Sequence, residues 1–249
     1  MTNFMTKKTI GIIGGMGPLA TADLFQKIIQ NTCASCDQEH LRILIDNNTE
    51  IPDRTHAILH SGSDPVPQLT KSARSLQQMG ADLLVMPCNT AHFFHNSIQA
   101  AVTIPVLHMI KLTCLALQKK GITKAGLLAT DGTIQSGIYQ PYFAASGIEL
   151  LMPDANGQKA IMDMIYCGVK AGVTEYNTAS VRSAMDNLLL QGAQTLILGC
   201  TELPLAMKMY GLKYPCCDPT LELARGAIRA AGGVCLDERL PVLQNEKNP

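Results

Sequence analysis

The sequence predicts an α/β fold of two pseudo-symmetric domains, each a parallel four-stranded sheet flanked by helices, with a site in the cleft between them. Three observations carry the prediction. Short apolar runs alternate with helix-length segments along the chain, the signature of parallel strands joined by helical crossovers. The order of elements in the first half recurs in the second. Two stretches also match across the halves, Gly80-Ala81-Asp82-Leu83-Leu84-Val85-Met86-Pro87-Cys88-Asn89-Thr90 and Gly192-Ala193-Gln194-Thr195-Leu196-Ile197-Leu198-Gly199-Cys200-Thr201-Glu202. Each opens on Gly-Ala, runs through a β-prone segment and reaches a cysteine followed by polar residues. The offset is constant, since 192 − 80 and 200 − 88 both give 112.

In chain order, Thr9 to Ile13 reads as a buried strand, Gly14 to Pro18 as a turn, and Leu19 to Ile29 as a helix. Pro18 suits a first helical position, where its missing N–H costs nothing. Leu41 to Ile45 is a second strand. Ile51-Pro52-Asp53-Arg54-Thr55 reads as an irregular connection. A helix is expected over Val66 to Met79, then the strand Asp82 to Met86 that delivers Cys88, a helix from Thr90 to Ala101, and a short strand Ile104 to His108. In the second half the expected strands are Lys124 to Ala129, Ile148 to Met152 and Thr195 to Leu198, the last delivering Cys200. Two helices fit between Gln158 and Leu190. Tyr214 to Cys217 matches Ile104 to Leu107 in position, and the chain from Leu236 reads as a loose tail. Ligands of such sheets bind beyond the carboxyl ends of strands. Arg54, Cys88, Thr130, Cys200 and the turn holding Met16 all lie there or just after.

Bulk composition narrows the function. With 249 residues, 47% hydrophobic and 16% charged, the chain is globular. Twenty basic residues balance twenty acidic ones, so no nucleic-acid or membrane-surface partner is expected. No signal peptide and no apolar run of about 18 residues is visible. The expected location is cytoplasmic, and the nine cysteines are expected mostly as buried thiols rather than a disulfide framework.

Two thiols facing one substrate carbon have a specific use. A cysteine with an ordinary pKa of about 8.5 is poised between donor and acceptor near neutral pH. One thiolate removes a proton while the opposite thiol returns one to the other face, which racemises or epimerises the carbon. Each cysteine precedes a helix start, where partial positive charge favours anions. Backbone N–H groups of Asn89, Thr90 and Ala91, and of Thr201 and Glu202, are candidate anion donors.

Gly14 to Thr21, Ile51-Pro52-Asp53-Arg54-Thr55, Pro87-Cys88-Asn89-Thr90-Ala91-His92, Gly168-Val169-Lys170-Ala171-Gly172 and Gly199-Cys200-Thr201-Glu202 together resemble the aspartate/glutamate racemase superfamily, and within it most of all the aspartate racemases. The resemblance spans about residues 7–232. It implies an amino-acid racemase that uses no cofactor (pyridoxal phosphate included), acts on a small amino acid and works as a homodimer. It implies that Cys88 and Cys200 carry the proton, and that Arg54 and Lys170 meet substrate carboxylate. It assigns Asn89, Thr90 and Ala91 to the loop that holds the α-carboxylate or amino group. It also returns the C-terminal helix to the first domain, giving domains of 1–109 plus 214–249 and 110–213. Glu202 is a candidate partner for the substrate ammonium or a cap of its own helix. Thr130, Thr201 and Met16 complete the candidate contacts.

Arg54 and Lys170 favour a dicarboxylic amino acid over a hydantoin. Two thiols favour racemisation over decarboxylation, which needs one donor. Glutamate or a broader range of amino acids is the alternative substrate. The rival reading is nucleotide binding: Gly15-Met16-Gly17-Pro18-Leu19-Ala20 fits G-x-G-x-x-A after a strand. Pro18 removes an N–H that would face a pyrophosphate, and the rival leaves the duplicated cysteine unexplained. Binding of an acidic amino acid without catalysis is a second alternative. Cys33-Ala34-Ser35-Cys36 lacks a second pair for a metal site, and His92 and His95 read as structural, so no metal is expected.

Overall fold

The computed structural model describes residues 7–236. The first half runs β1 (Ile10–Gly14), α1 (Pro18–Asn31), β2 (Ile43–Asn47), α2 (Arg54–Leu59), α3 (Val66–Gln78), β3 (Leu83–Val85) and α4 (His95–Ala100). After α5 (Met109–Lys119) come β4 (Lys124–Ala129), α6 (Asp131–Gln135), α7 (Gln140–Ala145), β5 (Glu149–Leu151), α8 (Ala155–Asp163) and α9 (Ala179–Leu190). The chain closes with β6 (Thr195–Gly199), α10 (Glu202–Met209), β7 (Cys216–Cys217) and α11 (Pro219–Ala230). The strands form two parallel sheets, ordered β2-β1-β3 and β5-β4-β6-β7. No helix among the described residues is long and apolar enough to cross a membrane.

Strand periodicity builds both cores. Successive side chains point to opposite faces, so Ile10 and Ile12 join one apolar cluster while Ile13 joins another. Leu196 and Leu198 likewise separate from Ile197. The Gly-Ala openings of the repeated stretches are helix stops. Gly80 and Gly192 take φ of 95° and 97°, a conformation that favours glycine. The following N–H of Ala81 reaches back to the Leu76 carbonyl and that of Ala193 to the Leu188 carbonyl, both at 3.0 Å, which closes α3 and α9 in the same way. Inside the sheets, a Cβ on Gly11 would stand 2.6 Å from Leu84 Cδ2, and one on Gly126 would stand 2.8 Å from Leu196 Cδ2. Glycine at each spot admits the matched leucine of the neighbouring strand.

The fourth strand expected over Ile104 to His108 shrinks to a single parallel bridge, Leu84 to Val106. Leu84 N–H donates to the Pro105 carbonyl and Leu196 N–H to the Pro215 carbonyl, both at 2.8 Å, so the two edges are built alike. Each proline lacks an N–H and shortens its ladder. The expected helix from Thr90 becomes a 3₁₀ turn, Thr90–Phe94, before α4. The cause is local. His92 Nδ1 takes the Cys88 carbonyl at 2.8 Å, the group an α-helix would give to the His92 N–H, and that N–H turns to the Asn89 carbonyl instead.

Connections between the halves differ in detail from the expected boundaries. β7 pairs with β6 in the second sheet rather than standing with the first half. The chain crosses back only at α11, whose Leu223, Ala224, Ala227 and Ile228 pack with Ile10, Leu24 and Ile28. Asp218 caps α11 and pairs with Lys27 of α1 at 2.6 Å. Helix α5 serves both halves, since Met109 lies in the first core while Ile110, Cys114 and Leu117 lie in the second. The expected tail beyond Leu236 lies outside the described residues.

Candidate active site

A cavity of about 30 Å³ lies between the two sheets, lined by Cys88, Asn89, Arg54, Lys170, Cys200 and Glu202, with Met16, Asp53, Thr55, Thr90, Thr130, Tyr166 and Thr201 completing its wall. It has room for about one or two water molecules. Both sulfurs border it, and both cysteines are buried, at 6% and 7% exposure. Each follows a strand of its own half, so equivalent turns place them.

Around Cys88 the contacts are cationic and polar. Arg54 opens α2, whose N-cap Asp53 accepts from His56 N–H at 2.7 Å. One end of the guanidinium donates to the Pro52 carbonyl at 3.0 Å and the Ile51 carbonyl at 3.4 Å, while Nη2 donates to the Met16 carbonyl at 3.3 Å. Its buried Nε has no partner. Burial pulls the Arg54 pKa down, but the nearby Cys88 reverses this with help from Asp53 and Tyr166, so the net shift is upward. The Gly-rich turn thus holds an arginine, through the carbonyl of Met16.

The polar residues after Cys88 reach into the second half. Tyr139, fully buried, donates its O–H to Asn89 Oδ1 at 2.6 Å. That contact uses up the carbonyl oxygen of the amide and leaves the buried Nδ2 without a partner. The Thr90 hydroxyl bonds those of Thr130 at 3.1 Å and Thr133 at 2.8 Å. The Ala91 side chain is fully buried in the first core and does not line the cavity.

Around Cys200 the contacts are anionic. Its thiol donates to Glu202 Oε2 at 2.9 Å, and Lys170 Nζ donates to Glu202 Oε1 at 2.6 Å. Burial first, then Glu202, pushes the Cys200 pKa well up. Burial also works against the Glu202 carboxylate, but Lys170 and the Cys200 hydrogen bond outweigh it and hold its pKa down. Burial works against the Lys170 ammonium too, and Glu202 outweighs it and raises that pKa. Glu202 is therefore engaged within the site, in the first turn of α10. Lys170 follows a π-helical turn, Met164–Val169, closed by the Lys170 N–H to the Ile165 carbonyl at 3.0 Å. Such turns recur at functional sites. This one presents Tyr166 and Lys170 together, with the ammonium 5.7 Å from the ring centre.

Sequence reasoning missed Tyr139 and Tyr166 and named Asp53 and Thr55 only as neighbours of Arg54. Tyr166 was detectable, being four residues before Lys170 and so on its face of a helix. Tyr139 carried no local signal. His92 and His95 bond backbone carbonyls of Cys88 and Val106 at 2.8 and 2.9 Å, in keeping with a structural reading. Among the described residues no group of three His, Cys, Asp or Glu is arranged to hold a metal. Of the CxxC pair, Cys33 is half-buried and Cys36 exposed, both just past the end of α1.

Two parallel α/β halves meeting at a pair of buried thiols and a half-buried arginine define a class of isomerase. The chain belongs to the Asp/Glu/hydantoin racemase family, whose model matches residues 13–227. It is similar in structure to the aspartate racemase of Picrophilus torridus, with a TM-score of 0.83 and 33% identity over 93% of this chain and 97% of that one. An aspartate racemase homologue from Pyrococcus horikoshii superposes with a TM-score of 0.73 at 25% identity, covering 90% and 99% of the two chains. The broad specificity amino-acid racemase RacX of Bacillus subtilis is 27% identical over 231 residues, 88% of this chain and 96% of its own. The chain is accordingly a racemase with a small-molecule amino-acid substrate.

Proposed function

We propose that the chain interconverts L- and D-aspartate by two-base proton transfer between Cys88 and Cys200, with no cofactor. The observation that carries this reading is that both buried thiols border one cavity together with Arg54. In this reading Arg54 binds a substrate carboxylate through its unpartnered Nε edge, and Asn89 offers Nδ2 to the same group or its neighbour. Positive charge held against the α-carboxylate offsets the negative charge that builds as the α-proton leaves, and it acts more strongly in a dry site than in water. Met16, Thr130 and Thr201 shape the remaining wall. The cavity is smaller than any amino acid, so the substrate enters when the two halves part. As part of the same reading the protein works as a cytoplasmic homodimer; sedimentation equilibrium checks its assembly.

Aspartate is favoured by the likeness to the Picrophilus enzyme and by the tight cavity. A broader substrate range is the second reading, supported by the near full-length likeness to the Bacillus protein. The test incubates L-aspartate with the protein in deuterated water without added cofactor. D-Aspartate is expected, with deuterium at the α-carbon. Absence of exchange from both enantiomers of aspartate and of glutamate overturns the acidic amino-acid reading, and a panel of other amino acids then decides the substrate.

A further inference from the structure

We propose that Glu202 keeps Cys200 protonated in the resting site, so that the two thiols differ before substrate arrives: Cys200 stores the transferable proton, and Cys88, against Arg54, is the side that accepts one. The inference rests on the two-base reading and goes beyond it by giving each sulfur a state and naming the residue that sets it.

The geometry is a chain of donors converging on one carboxylate. Lys170 Nζ lies 2.6 Å from Glu202 Oε1. The Cys200 sulfur lies 2.9 Å from Oε2, and the Thr201 hydroxyl donates to the same oxygen at 3.3 Å. An ionised carboxylate only accepts hydrogen bonds. Lys170 keeps it ionised, so the hydrogen between sulfur and oxygen belongs to the sulfur. A thiolate at this distance would set two anions against each other in a site that screens them poorly. The groups facing Cys200 are Glu202 and Thr201 from its own turn, Lys170 and Tyr166 from the π-helical turn, Tyr139 at the start of α7 and Cys88 across the cavity, and Lys170 is already committed to Glu202. Cys88 faces the opposite arrangement, sharing its side of the cavity wall with the Arg54 guanidinium. The same contacts reach both oxygens of Glu202.

The consequence is a directional resting enzyme. The Cys88 thiolate takes the α-hydrogen as a proton, forming its S–H bond, and the C–H electron pair stays on the α-carbon and its carboxylate. The Cys200 S–H bond then breaks as a new C–H bond forms on the opposite face. The turnover leaves a Cys88 thiol and a Cys200 thiolate; Cys88 then releases its proton to solvent and Cys200 takes one up from solvent, which restores the resting state with no oxidant or reductant involved. Because the enantiomers are equally stable in solution, kcat/KM stays equal in the two directions, and the inequality appears in kcat and KM separately.

The test is thiol alkylation by iodoacetamide, read at each cysteine by mass spectrometry across a pH series. In the native protein Cys200 is expected to react at least about tenfold more slowly than Cys88 at neutral pH, with a pH midpoint at least about one unit higher. The two are equally buried, so access does not account for the difference. Glu202→Gln preserves volume and a hydrogen-bond acceptor but removes the negative charge and leaves Lys170 beside the sulfur. Its Cys200 rate is expected to rise about tenfold, with the Cys88 rate within about twofold of the native value. Equal rates or a reversed order of midpoints in the native protein would overturn the proposal without recourse to any variant. An unchanged Cys200 rate in a Glu202→Gln protein with a native circular dichroism spectrum would do so as well. Alkylation does not depend on turnover, so loss of the racemase reading and loss of this proposal are separate outcomes.

Discussion

The turns after β3 and β6 share a backbone plan and differ in charge. Both begin one short strand after a Gly-Ala helix stop, and both deliver a buried cysteine to the same cavity. Two residues past each cysteine the match ends. Thr90 is neutral and bonds across to Thr130 and Thr133 of the second half, whereas its counterpart Glu202 is ionised and bonds Lys170 and Cys200 of its own half. Four residues past Cys88, His92 braces the Cys88 carbonyl, and the matching position holds Pro204, which has no side-chain donor. Repetition of the backbone places two sulfurs; divergence of the side chains gives them different surroundings. The first turn is a clasp between halves, and the second is an ion-paired unit.

The comparison breaks most severely at the sulfurs themselves. Cys88→Ala and Cys200→Ala are each expected to lower racemisation by about 10³-fold or more, the upper range for a positioned acid or base. Each variant should retain α-hydrogen exchange from one enantiomer only, and the two should differ in which, as read by deuterium incorporation. Full racemisation in either would contradict the two-base scheme.

Arg54→Lys tests the cationic side of the first turn. It keeps charge but loses the planar fork that uses three backbone carbonyls and leaves Nε free. A hydrogen bond to a charged group is worth about 1.5–3 kcal/mol, so kcat/KM should drop about 10- to 100-fold. Tyr139→Phe tests the clasp. Without the hydroxyl, the Asn89 amide is free to turn its oxygen toward the cavity. KM for aspartate should rise about 5- to 10-fold with a smaller change in kcat. A thermal denaturation midpoint that falls while KM stays unchanged would reduce Tyr139 to packing.

The smallest expected effect is on stability at low pH. Burial lowers the His92 pKa from its ordinary 6.5 to about 4. Between those values the unfolded chain binds the proton and the folded chain does not, so stability is complete above pH 6.5 and falls as pH drops toward about 4. The loss over that window amounts to about 3 kcal/mol. His92→Gln should start less stable but lose less over the same window in urea unfolding.

Much of the site was legible because its chemistry sits in contiguous motifs at strand ends. Cys88, Asn89 and Thr90 follow one predicted strand, Cys200, Thr201 and Glu202 another, and all six line the cavity. Arg54 was identified although its segment was expected to be irregular; its helix starts because Asp53 caps it. Ala91 places its methyl group in the first core, whereas the contact expected of it was through the backbone N–H. Tyr139 could not be anticipated, since nothing near it in sequence announces a contact with Asn89, 50 residues earlier. The shortened edge at Val106 follows from Pro105, a signal present in the sequence but overridden by the apolar run around it.

Taken by itself, the sequence determined the strand-helix alternation, the duplicated cysteine turns and the presence of Arg54, Lys170 and Glu202 beside them, because periodicity and turn chemistry are local properties of the chain. The tertiary structure alone decided which charges meet. It set Glu202 between Lys170 and Cys200, placed Arg54 against Cys88, hung Asn89 from Tyr139 and returned α11 to the first half. Hydrogen bonds and ion pairs act over a few ångströms, and the chain brings these partners together only by packing one half against the other.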